Sequence, residues 1–289
     1  MRPLRLAVSA WQVGQVDGVA GFAHRLDTAV AEARAEGAEL LLLPEYAAME
    51  AARQPSPDHV AELAEACDQA DALLDAMRDC AARHGAWLAP GSLPMRRGDT
   101  VLNRAPLIAP DGRLGFQDKH LMTRFEAEQW NVAGGEFPGV FDTPWGRIGL
   151  AVCFDAEFPT LVHAQVEAGA WLVLIPACTD TPHGAERVRL SARARAMENQ
   201  CFTALAPTVG NAPWLGTLDV NTGRAGVYGP IDRGFAADGT VAEAEYGAPG
   251  WLHADLDPER ILRVREDGAV RNQRSWPDSV PPSRVLPLA

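Results

Sequence analysis

One junction constrains this chain more than any other. Ile148-Gly-Leu-Ala-Val152 is an apolar run of strand length that stops at Cys153. A polar, proline-closed turn, Phe154-Asp155-Ala156-Glu157-Phe158-Pro159, then leads into Thr160-Leu-Val-His-Ala-Gln-Val-Glu-Ala-Gly169, which has apolar residues at helical spacing and a terminal glycine. A buried strand delivering directly into a helix belongs to an α/β fold. The same junction sets a cysteine at a strand tip, beside the unpaired backbone N–H groups of the following turn. Donors are then already aimed where attack by the sulfur would generate an oxyanion. A cysteine also serves as a small buried hydrophobe, so the assignment depends on what the rest of the chain supplies.

The remaining sequence repeats the strand–helix theme. Leu4 to Trp11 reads as a strand, and residues 21–37 read as a helix with Phe22, Leu26, Ala29, Val30 and Ala33 on one face. Ala38-Glu-Leu-Leu-Leu-Leu43 is a second buried strand, and it delivers Glu45 at its carboxyl end, where α/β folds place their sites. Residues 57–85 are alanine-rich and read as two helical pieces meeting near Cys67 to Asp71. Strands follow at 86–91, 102–109 and 114–117, the last two joined as a hairpin by Pro110-Asp111-Gly112 and followed by Asp118-Lys119-His120-Leu121. Residues 122–136 read as an irregular wall or lid. Trp171 to Ile175 is a strand, 186–200 a helix and 201–206 a strand. Residues 226–231 and 239–244 read as hairpin strands, 250–255 as the last strand, and 272–289 as an extended proline-rich tail. No linker interrupts this order, so the expectation is a single domain over residues 1–289, roughly two-fold in its succession of elements.

Composition removes several functional classes. A formal net charge of -12 argues against nucleic acid and anionic membranes as partners. No apolar stretch has the length of a membrane span, and Met1-Arg-Pro-Leu-Arg5 runs into a strand rather than a signal peptide. The five cysteines are odd in number and widely spaced, which reads as free thiols in a reducing cytoplasm. No Cys-x-x-Cys or His-x-x-x-His spacing occurs, so no metal site is expected.

Glu45, Lys119 and Cys153 are polar residues at strand ends, and the motifs around them resemble the carbon–nitrogen hydrolases of the nitrilase superfamily, amidase-like branch. The likeness is carried by Leu43-Pro44-Glu45, by Asp118-Lys119-His120-Leu121 and by Gly149-Leu-Ala-Val-Cys153-Phe-Asp155-Ala-Glu157-Phe-Pro159. Arg195-Ala-Met-Glu198-Asn199 and Asp238-Gly239 resemble further family segments, so the likeness runs from Leu4 to about Trp276. It implies a four-layer α-β-β-α sandwich, a Glu–Lys–Cys triad without metal or cofactor, and a homodimer or larger homo-oligomer.

Side-chain chemistry agrees with the implied roles. Glu45 would take the thiol proton, Lys119 and the Phe154 N–H would hold the oxyanion, and a nearby ammonium would favour the thiolate of Cys153. Many members of the family use a second glutamate in the loop after the lysine. Counting back from Gly134-Gly135-Glu136 gives Glu128, with Glu126 as the alternative. Tyr46, Phe125, Trp130, Thr179 and Trp214 are candidate pocket walls.

Cys153-Phe154-Asp155 resembles amide-cleaving rather than nitrile-cleaving members, and Glu157 stands where the family commonly has arginine. The expected function is hydrolysis of a small linear amide through a cysteine thioester, releasing ammonia or an amine. An N-carbamoyl or ureido hydrolase and a nitrilase are the alternatives within the superfamily. A catalytically silent binding homologue is the alternative of another class.

Overall fold

Two sheets lie face to face, each half of the sequence building most of one. In the computed structural model, which describes residues 2–279, the parallel core of the first sheet comes from β1 (Leu4–Gln12), α1 (Gly18–Ala35), β2 (Leu40–Leu42), α2 (His59–His84) and β3 (Trp87–Ala89). Antiparallel pairing extends it through β4 (Leu93–Arg97), β5 (Thr100–Ile108) and β6 (Leu114–Asp118). The short α3 (Arg124–Glu128) then precedes β7 (Val132–Ala133), which pairs with β5.

The second half begins with the hairpin β8 (Val140–Thr143) and β9 (Gly146–Leu150). After α4 (Pro159–Glu167), β10 (Leu172–Ala177), α5 (Pro182–Asn199) and β11 (Phe202–Asn211), the strands β9, β10 and β11 run parallel. β12 (Val220–Asn221), β13 (Gly226–Tyr228) and β14 (Thr240–Glu243) add antiparallel edges. β15 (Gly250–Leu256) crosses back to pair with β1, and the two sheets meet where β1 and β11 run parallel at Trp11–Thr208 and Gln12–Val209. α6 (Pro258–Asp267) and α7 (Asn272–Ser275) follow.

Strand alternation assigns the layers. Leu4, Leu6, Val8, Leu40 and Leu42 face the second sheet and pack with Ile148, Leu150, Leu172 and Leu174. Between them, Ala7, Leu41 and Leu43 point the other way, onto Phe22, Leu26 and Val30 of α1 and Leu73 and Met77 of α2. Val162 of α4 and Val188, Ala192 and Ala196 of α5 cover the second sheet. The result is the expected four-layer α-β-β-α sandwich, with the carboxyl ends of β2, β9 and β10 opening toward one region.

Two expectations change. Residues 59–84 form one continuous helix, not two pieces. Asp58 caps it through the N–H groups of Val60 and Ala61, Gly85 ends it, and the stripe Leu63, Ala66, Cys67, Ala70, Leu73, Met77 runs without interruption across the supposed junction. Composition suggested a break where helical periodicity shows none. The beginning of the expected tail is helical as well. α7 and a 3-10 turn at Trp276–Ser279 fold back on the body, with the Trp276 ring stacked on His163 at 4.1 Å and Gln273 Nε2 donating to Glu167 at 2.7 Å. The rest of that segment, 280–289, lies outside the described residues.

The end of β2 depends on one glycine. Gly91 has φ +85°, and a Cβ there would fall 1.7 Å from the Pro44 carbonyl oxygen, while Tyr46 N donates to Ser92 O at 3.0 Å. Gly85, at φ +58°, has open space around the same position. Gly91→Ala is therefore expected to cost about 3 kcal/mol or more in denaturant titration, against about 1 kcal/mol for Gly85→Ala. Equal losses would show that the close approach to Pro44 carries no weight.

Candidate active site

Strand ends bring the key side chains together. Glu45 follows β2, Lys119 follows β6, Cys153 follows β9 and Cys178 follows β10. Among the described residues only four non-glycines have positive φ, and two of them belong here, Tyr46 at 60° and Cys153 at 48°. Each costs about 1–2 kcal/mol of local strain, which the surrounding structure must offset. The left-handed turn at Cys153 ends the strand abruptly and starts a 3-10 segment, Cys153–Glu157. Asp155 in that segment is fully buried and accepts the N–H groups of His120 at 2.9 Å and Leu121 at 2.8 Å. The turn after the cysteine is thereby stitched to the loop after the lysine.

A closed polar network forms the floor. Lys119 Nζ donates to Glu45 Oε1 at 2.8 Å and to Glu126 Oε2 at 2.6 Å. Asn103 Nδ2 bridges the same two carboxylates, at 2.9 Å to Glu45 Oε1 and 3.1 Å to Glu126 Oε1. Glu45 Oε2 accepts the Cys178 N–H at 3.0 Å, and Tyr46 OH donates to Glu126 Oε1 at 2.9 Å. The Cys153 thiol lies 3.7 Å from the Cys178 carbonyl oxygen. Glu45, Lys119, Asn103 and Glu126 are all at most 3% exposed, so each charge here depends on its partners.

That dependence appears in the ionisation. Burial raises Glu45 above the ordinary glutamate value, and the opposing pull of Lys119 does not fully offset it, with Glu126 adding to the rise and a Cys153 hydrogen bond lowering it. Burial also pushes Glu126 upward, yet Lys119 and the Thr123 hydrogen bonds outweigh it and hold that carboxyl low. Lys119 is penalised by burial but held well above the usual lysine value by Glu45 and Glu126. Burial and the Glu45 charge raise Cys153 well above the usual thiol value, more than Lys119 lowers it. That direction opposes the thiolate that the ammonium alone would favour.

Above the network is a cavity of about 480 Å³. Tyr46, Phe125, Trp130, Phe154 and Thr179 line it with Glu45, Lys119, Glu126 and Cys153. Trp214 is not among the lining residues; it packs on the apolar cluster of Tyr46, Trp130 and Leu215 behind the wall. Glu128 is also displaced from its expected place: its carboxylate is half-exposed and pairs with Arg124 at 2.8 Å.

The reason is helical phase. The loop expected to be irregular contains α3, whose N-cap Thr123 and third residue Glu126 form a capping box. Glu126 Oε2 accepts from Thr123 N and Oγ1 as well as from Lys119, which turns Glu126 inward. Two residues further round, Glu128 faces solvent. The signal Thr123-x-x-Glu126 is visible in the sequence. Asn103, the other member missed there, is a lone amide in the apolar run of β5.

Comparisons with known proteins identify the family. The carbon-nitrogen hydrolase family model matches residues 7–265, and the chain belongs to that family. A probable hydrolase of Bacillus subtilis is 29% identical over 272 residues, 93% of this chain and 53% of that protein, so the chain spans about half that relative's length. An omega-amidase of Xenopus tropicalis is 24% identical over 254 residues, covering 85% of this chain and 86% of that one.

Among solved structures, an amidase from Nesterenkonia sp. AN1 with acrylamide bound superposes with TM-score 0.74 at 26% identity, covering 95% of this chain and 97% of that one. Other structures of that amidase show covalent addition of acrylamide, and of the acetamide moiety of fluoroacetamide, at its active-site cysteine. The chain is thus a member of the carbon–nitrogen hydrolase family, and it shares its fold with an amidase of the nitrilase superfamily.

The two glutamates of α3 are separable by experiment. Glu126→Gln removes charge-assisted hydrogen bonds from a buried lysine and is expected to cost about 1.5–3 kcal/mol, whereas Glu128→Gln is expected to stay within about 0.5 kcal/mol. Because folding lowers the Glu126 pKa, its stabilisation is present above the ordinary glutamate value and is lost as pH falls through the depressed one. Denaturant titrations across acid pH are expected to show this loss in wild type and not in Glu126→Gln. The reverse assignment would reverse both results.

Proposed function

We propose that this protein hydrolyses the C–N bond of a small linear amide through a thioester on Cys153. The observation that carries the reading is the convergence of a buried thiol, a carboxylate and an ammonium at the floor of one cavity. The covalent adducts on the active-site cysteine of the Nesterenkonia amidase support the same nucleophile here.

In the first half-reaction the Cys153 sulfur attacks the amide carbon while its proton passes to Glu45. Lys119 Nζ and the Phe154 N–H, at the start of the turn where helical acceptors are missing, receive the developing oxyanion. Collapse breaks the C–N bond, and Glu45 returns the proton to the departing nitrogen. Ammonia or an amine leaves, and the acyl group remains on sulfur. In the second half-reaction water gives a proton to Glu45 and attacks the thioester; the sulfur departs and recovers the proton, and the carboxylic acid is released. Glu126, Tyr46 and Asn103 position the lysine and the base.

A base whose pKa is raised toward neutrality suits this task better than an ordinary carboxylate. Glu45 acts only when ionised, so kcat/KM for a primary amide is expected to rise with pH, with an acid-limb midpoint above the ordinary glutamate value. Cys153→Ala and Glu45→Gln are each expected to lower ammonia release at least about 10³-fold. Acid quench during turnover, followed by intact-protein mass spectrometry, is expected to show the acyl group on wild type and not on Cys153→Ala. Ammonia release by Cys153→Ala at the wild-type rate would overturn the reading.

A further inference from the structure

The charges around the cavity name a class of substrate within that amidase reading, on which this inference rests. We propose that the cavity selects a short amide whose far end carries a cationic group, such as an ammonium, and disfavours a carboxylate there.

Its cations are all engaged. Lys119 is held between Glu45 and Glu126. Arg124 donates Nε and Nη2 to the two oxygens of Glu128, at 2.8 and 3.0 Å. Arg187 Nε lies 3.3 Å from Glu157 Oε2, itself a cavity residue. Five carboxylates line the cavity against three cations. Among the described residues, Asp180 and Asp219 form no ion pair, and Asp219 Oδ1 accepts only the N–H of its chain neighbour Val220, at 2.9 Å.

Their positions are built, not incidental. Glu62 of α2 is fully buried and directs both oxygens at the segment leading to Asp219, accepting Gly216 N and Thr217 N at 2.8 Å each. Asn221 Nδ2 then donates to Leu218 O at 2.6 Å. Beside Asp180, Thr179 Oγ1 donates to Thr222 O at 2.7 Å, and Thr222 N to Thr179 O at 2.9 Å. Two tied segments therefore present two carboxylates without counter-cations to one cavity. A carboxylate-ended amide meets them with no unengaged cation to receive it, whereas an ammonium supplies the missing charge.

Three amides of matched length test this: 3-aminopropanamide, butanamide and succinamate, compared by kcat/KM at neutral pH. Taking each exposed carboxylate as worth about threefold, 3-aminopropanamide is expected to exceed butanamide by about tenfold. Succinamate is expected to fall below butanamide, and the cationic preference to shrink as salt rises. The double variant Asp180→Asn/Asp219→Asn is expected to bring the ratio of 3-aminopropanamide to butanamide close to one. Succinamate matching or exceeding butanamide, or a ratio unchanged in the double variant, overturns charge selection while leaving the amidase reading intact. Hydrolysis of none of the three by wild type overturns the amidase reading and this inference with it.

Discussion

A single buried ammonium holds the functional end of this molecule together. Lys119 lies between two carboxylates that come from different parts of the chain, Glu45 after β2 and Glu126 in α3. Removing three charges from water costs several kcal/mol per ion, and only close, well-directed pairing offsets it. Without the lysine, two buried carboxylates sharing one amide donor, Asn103, would face each other. The arrangement therefore tolerates no partial assembly: the strand end, the hairpin end and the capped helix must all be in place together. Asp155 extends the coupling to the cysteine turn by binding the two backbone N–H groups that follow the lysine.

Much of this was legible in the sequence because strand ends are marked by abrupt transitions. Leu40 to Leu43 stopping at Pro44-Glu45, and Ile148 to Val152 stopping at Cys153, place polar residues where an α/β fold opens its site. The layered order followed from alternation and helical spacing. What was not legible depended on rotation and distance. Motif counting gave Glu128 because it measures chain length from a glycine pair, whereas the inward direction of Glu126 comes from helical phase set by Thr123. Glu62 illustrates the limit of such reading. It sits among alternating acids and alanines on α2, and nothing local shows that its carboxylate anchors a segment more than 150 residues away, since |i−j| is 154 to Gly216.

The raised pKa of Cys153 bears on the order of events in the proposed reaction. With the thiol neutral and Lys119 charged, Glu45 and Glu126 leave the buried network with one net negative charge. Ionising the thiol in advance, with its proton lost to solvent, would add a second negative charge where burial and Glu45 already oppose it. Moving the proton to Glu45 as sulfur attacks keeps the net charge constant. Negative charge then leaves the carboxylate and appears on the substrate oxygen, where the ammonium can meet it. Glu126 keeps Lys119 charged through this transfer, since its own carboxyl stays ionised below the ordinary range while Glu45 changes state. In the proposed reaction the two glutamates on one lysine therefore take different roles, because their surroundings push their pKa values apart.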